Sequence, residues 1–520
     1  MSPTFPVIDL FAGPGGLGEG FCAFSPRRGQ PGFDVRLSVE MNPVAHRTLV
    51  LRKFFRSFAE APPEDYFTYL AGRLSREELF ARHPSAAEAA QQRAWQIELG
   101  RKDNAQVTAR ITRELNGASV WALIGGPPCQ AYSLVGRSRM QSRTNPEFEK
   151  DHRHFLYREY LRIVARHQPT VFLMENVKGL ISATHGGEPI FRRILGDLQY
   201  PGRALGMRDR AGLAYNLHSV VEPNASLLRD TRSLIEDPQC LVVHAERFGI
   251  PQARHRVFVL GIRSDFRVAP DFLQPSDAPS VDAAIGDLPA IRSTLSREDD
   301  SIERWRAAVA EVRSHSWFRD PGTADLRSTV RTARQSLANL EKLSLATGGL
   351  WLQHTGRPAA LGNWYRAGAR GVSNHEARGH MRSDLQRYFF AACFAEASGE
   401  RSPTLEDFPQ ELLPNHRNAA RGQRGEMFAD RFRVQLRDRY ATTVTSHISK
   451  DGHYFIHPDP EQCRSLTVRE AARLQTFPDS YHFEGPRTEQ YHQVGNAVPP
   501  LLAKQIAAIV YKVLQNSTGR

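Results

Sequence analysis

The sequence predicts an α/β fold: a doubly wound, mostly parallel sheet with a second, smaller domain. Three observations carry that prediction. Short apolar runs of strand length recur through the first 290 residues, helical patterns fall between them, and the chain changes character after about residue 290. Alternation of this kind belongs to a parallel sheet covered by helices.

The elements follow in order. Residues 7–11 read as a strand and run directly into Ala12-Gly13-Pro14-Gly15-Gly16-Leu17-Gly18. A helix is expected from Glu19, then a strand at 35–39 that ends in Glu40. Strand, glycine-rich turn, helix, strand and acidic residue make the usual opening of a doubly wound sheet. Residues 51–118 are charged and helical in pattern, too long for one crossover, and are expected to hold a helical insertion. Further strands are expected at 120–124, 171–174, 241–244 and 257–262, with a helix at 157–165. Residues 291–463 are rich in Arg, His, Trp and Tyr, with basic segments punctuated by glycine, and form the expected second domain. Thr467 with Glu470 three residues on reads as a capping box. The expected division is 1–290, 291–463, a hinge segment at 464–487, and a return to the first domain at 488–520, which includes an apolar helix at 501–514.

Bulk properties narrow the function. Lys and Arg number 68 against 56 Asp and Glu, a formal net charge of +12. That excess favours a polyanionic partner, with nucleic acid preferred over simple solubility. Hydrophobic residues make up 41% of the chain, which suits a globular protein. Five widely spaced cysteines without a Cys-x-x-Cys pair argue for a reducing, cytoplasmic setting. No apolar run approaches the roughly 18 residues of a membrane span, and the N-terminus lacks a signal-peptide pattern, so no membrane partner is expected.

The candidate chemistry sits at strand ends. After the apolar run 121–124 comes Gly125-Gly126-Pro127-Pro128-Cys129-Gln130, which puts a thiol just past a tight turn. A free cysteine is more often a small buried hydrophobe than a nucleophile. At the carboxyl end of a sheet strand, where substrates bind, the nucleophile reading gains. Glu175 ends the run 171–174 at the same rim; alone it reads as structural. Arg254 and Arg256 precede the strand 257–262, and their spacing lets both face one side of an extended segment. The glycine turn lacks the Gly-x-Gly-x-x-Gly spacing and a following lysine. It therefore suits a nucleoside cofactor without phosphate as well as a dinucleotide, with tight packing as the plainer alternative. His447, His453, His457 and Cys463 are spaced loosely like metal ligands. Without a Cys-x-x-Cys pair they are read as packing residues, and no metal is expected.

Taken together and in order, these segments resemble the DNA (cytosine-5) methyltransferases. The resemblance runs through residues 9–16, 126–133, 175–177, 252–256, 469–475 and 493–499. It covers roughly the first 290 and the last 57 residues. It leaves 291–463 where this family carries its variable target-recognition region.

The resemblance implies a Rossmann-like S-adenosylmethionine-dependent methyltransferase sheet with a target-recognition domain. It makes Cys129 the nucleophile for carbon 6 of a flipped cytosine, Glu175 the acid at ring nitrogen 3, Arg256 a contact to the base carbonyl and Arg254 its support. S-adenosylmethionine would meet Phe11, Ala12, Gly13, Gly15, Gly16, Glu40, Met41, Pro127, Asn496 and Val498. Gln130, Ser133, Arg137 and Arg139 would close on double-stranded DNA, with Thr443 and Thr445 contributing from the recognition region. The implied setting is a monomer acting beside a separate restriction or phage-defence nuclease. Two alternatives share the fold: a transfer-RNA cytosine methyltransferase and a catalytically silent DNA-binding regulator.

Overall fold

The computed structural model describes residues 2–58, 61–100, 104–128, 156–185, 188–210, 212–222, 237–414 and 430–518. Eight strands of the main sheet are β1 (Phe5–Leu10), β2 (Phe33–Glu40), β3 (Ala94–Gln96), β4 (Ala122–Gly125), β5 (Val171–Val177), β6 (Tyr215–His218), β7 (Val242–His244) and β8 (His255–Arg263). Their order is β3-β2-β1-β4-β5-β8-β6, with β7 paired to β8. The first five run parallel. β8 reverses direction and pairs antiparallel with β5, β6 and β7.

Every residue of β1 and β4 is buried. Strands covered on both faces read as continuous apolar runs rather than as alternation, which is why the sequence pattern finds them. Helices α1 (Gly16–Cys22), α2 (Pro43–Arg56), α3 (Asn104–Leu115) and α4 (Leu156–His167) follow β1, β2, β3 and precede β5 respectively. On one face α4 buries Tyr160, Leu161, Ile163 and Val164, and the Tyr160 hydroxyl donates to the Leu173 carbonyl at 3.1 Å. The other face is covered from the far end of the chain by an apolar helix. Its Ile506, Val510 and Leu514 pack with Val7, Ile124 and Phe258.

The stretch 51–118 corrects the sequence expectation. It is not an excursion outside the sheet, because it supplies the edge strand β3, paired in parallel with β2 from Ser38 opposite Ala94. Three residues are too few to show a period, so the pattern of 51–118 reads as helical throughout.

Past β8, helices α5 (Ala324–Leu340) and α6 (Arg382–Ser398) enclose a second core with Trp305, Trp317, Phe389 and Phe390. The chain then returns through α7 (Val468–Leu474), α8 (Arg487–Asn496) and α9 (Pro500–Ser517). The expected capping box opens α7. Thr467 Oγ1 accepts from the Glu470 amide at 3.2 Å, and Glu470 Oε2 accepts from the Thr467 amide at 2.7 Å.

The segment expected to be a hinge is instead buried or half-buried from 464 to 484, with Gly485 and Pro486 exposed. Arg464 pairs with Glu470 at 2.7 Å, each side chain 1% exposed. Arg473 pairs with Asp479 at 2.7 Å, both fully buried. Arg469 donates to the carbonyls of Ser373 and Tyr481 at 2.8 and 2.6 Å. The Tyr481 hydroxyl donates to the Pro14 carbonyl in the glycine turn. Buried ion pairs hold one geometry, because removing either partner strands a charge at a cost of about 3–5 kcal/mol. Residues 464–482 therefore brace the glycine turn against the second core.

Candidate active site

Two turns at the carboxyl ends of β1 and β4 open one cleft of ≈ 360 Å³ between the sheet and α8. The first turn places Phe11 at φ 55°, a left-handed conformation uncommon for a bulky residue. Strain of this kind concentrates at ligand clamps. Gly13, at φ 57°, donates its amide to Glu40 Oε2 at 2.8 Å. The other carboxylate oxygen of Glu40 accepts from the Asn42 amide at 2.7 Å. Asn42 in turn caps α2, its side chain accepting from the amides of Val44 and Ala45 at 2.9 Å. Burial raises the Glu40 carboxyl above its ordinary value, opposed by these amides. Each oxygen retains a lone pair for a hydroxyl in the cleft.

At the other end lies the acid. Glu175 is the fifth residue of β5, opposite Phe258 of β8. Its Oε1 lies 3.2 Å from Nε of Arg256, and both side chains are mostly buried. Burial pushes the Glu175 carboxyl above its ordinary value, against the pull of Arg256 and then Arg254. The space for it depends on Gly126, where a Cβ would stand 2.8 Å from Glu175 Oε2. Asn176 fixes the adjacent turn, its Nδ2 donating to the Pro127 carbonyl at 2.9 Å. Pro127 and Pro128 line the cleft, and the chain continues from Pro128 to Cys129.

The cleft brings together Phe11, Ala12, Gly13, Glu40, Met41, Pro127, Asn496 and Val498 with Glu175 and Arg256. Gly15 and Gly16 do not join them. A Cβ at Gly15 would meet Leu49 at 2.8 Å and Tyr481 at 2.9 Å, and one at Gly16 would collide with the Val498 carbonyl. Those two glycines let protein segments approach, not a ligand.

Arg254, expected to support the pocket, is not among the residues lining the cleft. It is 1% exposed, and its guanidinium donates to the carbonyls of Val444 at 3.0 Å and Gly495 at 3.1 Å. It joins the entrance of β8 to the end of the second domain and to α8, so it acts as a positioning residue. Thr443 likewise donates its hydroxyl to the Ala253 carbonyl, whereas Thr445 is exposed. Cys129, Gln130, Ser133, Arg137 and Arg139 lie outside the described residues. The His447, His453, His457 and Cys463 set is dispersed among separate partners. His453 meets the Tyr388 hydroxyl at 2.7 Å, His457 lies 3.5 Å from Glu470, and Cys463 Sγ donates to the Leu385 carbonyl.

Among the lining residues that sequence reasoning missed are Glu489 and His492. With Asn496 they recur at helical spacing on one face of α8, and that spacing was the available signal.

The cleft suits a nucleoside carrying positive charge better than a phosphate ligand. Asp9, Glu40 and Glu489 line it, and the one arginine among the described lining residues, Arg256, is held beside Glu175. A fixed positive group at the glycine turn, which a phosphate would need, is absent from that lining.

Comparison with known proteins adds four findings. A family model described as C-5 cytosine-specific DNA methylase matches residues 85–202 and 237–512. The type II methyltransferase M.Bpa9945I of Bacillus paralicheniformis is 32% identical, over 98% of this chain and 99% of its own length. The type II methyltransferase M.AgeI of Thalassovita gelatinovora is 26% identical, over 75% of this chain and 82% of its own. Among solved structures, a protein described as a DNA modification methyltransferase encoded within an E. coli prophage superposes with a TM-score of 0.50 at 20% identity. That match covers 98% of this chain and 99% of the other, and it supports the fold alone.

Proposed function

The chain belongs to the C-5 cytosine-specific DNA methylase family, and from that premise we propose that it writes 5-methylcytosine within a short specific DNA sequence as the modification enzyme of a restriction-modification system. The observation that carries this reading is the buried Glu175–Arg256 pair in the same cleft as Glu40, with Pro128 leading the chain to Cys129.

S-adenosylmethionine is the methyl donor in this reading and supplies an electrophilic methyl group when bound. Glu40 would accept from its ribose hydroxyls, and Phe11, Met41 and Val498 would pack on its apolar parts. The acidic lining matches a sulfonium centre.

The protein's own residues do the rest. Cytosine carbon 5 is a poor nucleophile until a thiolate adds at carbon 6. Cys129 donates an electron pair to form the sulfur–carbon bond, and ring electrons move toward nitrogen 3. Glu175 delivers its proton there, which leaves a neutral enamine nucleophilic at carbon 5. Burial raises its proton affinity, which favours the protonated acid that this step uses. Arg256 holds the resulting carboxylate and contacts the base carbonyl. After methylation, nitrogen 3 returns its proton to Glu175 and a base such as water takes the proton from carbon 5. The electrons of that bond form the carbon 5–carbon 6 double bond, and the carbon–sulfur electron pair returns to Cys129. The cytosine must leave the duplex for this, at a few kcal/mol. Gln130, Ser133, Arg137 and Arg139 would close on the DNA from which it came, with Thr445 facing it from the second domain. A separate nuclease cutting the unmethylated sequence completes the system, with the methyltransferase acting as a cytoplasmic monomer.

A transfer-RNA substrate and a silent regulator are not favoured. The relatives matched over nearly the whole chain are type II methyltransferases, and the acid–guanidinium pair is intact. The test is expression in a host free of cytosine methylation, followed by mapping of 5-methylcytosine. One modified sequence context is expected, and Cys129→Ala should abolish it. Retained methylation in that variant would overturn the mechanism.

A further inference from the structure

β7 and β8 place His244 directly opposite His255. Their rings lie 3.9 Å apart between centroids and are tilted by 37°. The turn after β7 brings Glu246 to both. Its Oε1 lies 2.8 Å from His255 Nε2 and 3.6 Å from His244 Nδ1. Its Oε2 is buried with no hydrogen-bond partner. One ligand atom from each of the three residues falls within 4.8 Å of the others.

An ordinary histidine–carboxylate pair explains only the His255 contact. It explains neither a second imidazole stacked on the first with its nitrogen toward the same carboxylate, nor the orphaned oxygen. Zinc ligands at about 2.0–2.1 Å on a tetrahedron stand roughly 3.3 Å apart, and the two nitrogen–oxygen contacts bracket that spacing. Two imidazoles and a carboxylate make a donor set for a first-row transition cation rather than for calcium or magnesium.

We propose that His244, Glu246 and His255 bind a divalent first-row transition cation such as zinc, with a further position open to water. Arg247 and Lys178 lie close enough to repel a cation, which places the site below structural zinc centres in affinity. None of its three side chains is assigned a role in methyl transfer. His255 stands between Arg254 and Arg256, so an occupied site would tie β7 to β8 beside the Glu175 partner.

The test uses the full chain, stripped with chelator and titrated with Co²⁺ alone. A saturable visible absorption of nitrogen and oxygen coordination is expected, without thiolate charge-transfer bands. His244→Asn and Glu246→Gln should each weaken binding by at least about tenfold, as loss of a ligand does. In the unaltered protein, Zn²⁺ should slow diethyl pyrocarbonate modification of His244. An absent Co²⁺ signal, thiolate bands, variants that bind as wild type, or unchanged modification would each overturn the site. None of these readouts depends on methyl transfer.

Discussion

Arg256 Nε stands 3.2 Å from Oε1 of Glu175, across two strands that run in opposite directions. The sheet changes from parallel to antiparallel at β8, and that reversal lets a residue at the start of β8 meet one at the carboxyl end of β5. Glu175 is therefore a buried acid with a fixed counter-charge ready for its ionised form. Glu175→Gln keeps the shape and removes the transferable proton. Single-turnover methyl transfer should fall about 10²- to 10⁴-fold, the usual contribution of a positioned acid, while DNA binding by gel shift stays close to wild type. The acid acts while protonated, so activity should persist below its raised value and fall as pH climbs through it. A Gln variant at the wild-type rate would remove Glu175 from the mechanism.

Gly126→Ala probes the same acid without touching it. The added Cβ would stand 2.8 Å from Oε2, in a turn tied down through Pro127 and Asn176, so the carboxyl must shift. A displacement of about 1 Å at a reacting group costs on the order of 10²-fold in rate. A large fall in kcat with an unchanged melting temperature is expected; an unchanged kcat would show that the carboxyl has slack.

How much of this was legible beforehand depended on range. β1, β4, β5 and β8 were readable because strands buried on both faces write themselves as apolar runs. Glu40 and Glu175 were readable because each ends such a run. β3 was not, since its three residues carry no period. Gly15, Gly16 and Arg254 share motifs with pocket residues, yet their partners, Tyr481, Val498, Val444 and Gly495, come from more than 180 residues away. Sequence spacing carries no information about contacts of that separation. The motif at 469–475 illustrates the same limit, because its arginines are buried braces and lie away from the cleft.

Arg254 should matter for the joint more than for the reaction. Truncation to Ala leaves the carbonyls of Val444 and Gly495 without their donor and opens a void. Buried groups left unsatisfied cost about 1–3 kcal/mol each, so urea unfolding should show a loss of roughly 2–4 kcal/mol. Arg254→Lys can reach one carbonyl and should recover part of it. Equal stability of all three proteins would contradict the joint.

DNA binding should weaken steeply with salt, because the net charge of +12 points to phosphate neutralisation. With several phosphate contacts the affinity should drop about 10³-fold or more between 50 and 200 mM salt. A flat dependence would separate the basic second domain from DNA.

Acid should destabilise the fold through histidines packed inside it. His375, His457 and His482 are each held down to about 4, burial being the largest cause. His375 shows why. One ring nitrogen faces the Thr467 hydroxyl at 2.9 Å and the other the Pro289 carbonyl at 2.8 Å. The Thr467 oxygen already accepts from the Glu470 amide, so its proton points to the imidazole, and a second ring proton would break the capping box. The unfolded chain takes up protons first, near the ordinary value of about 6.5, so stability is lost as pH falls from there toward 4. The slope approaches about 1.4 kcal/mol per pH unit for each histidine. Asp9 works in the opposite direction. Its buried carboxyl is raised to about 7 and contributes stability that is lost as pH rises from the ordinary carboxylate range to 7. His167 and His380 are held down as well, and these imidazoles outnumber the raised carboxyls of Asp9, Glu40, Glu175 and Glu396, so the urea midpoint should fall between pH 6.5 and 5. His375→Gln should flatten that slope by up to about 1.4 kcal/mol per pH unit, the share of one histidine; an unchanged slope would mean that His375 does not titrate on unfolding.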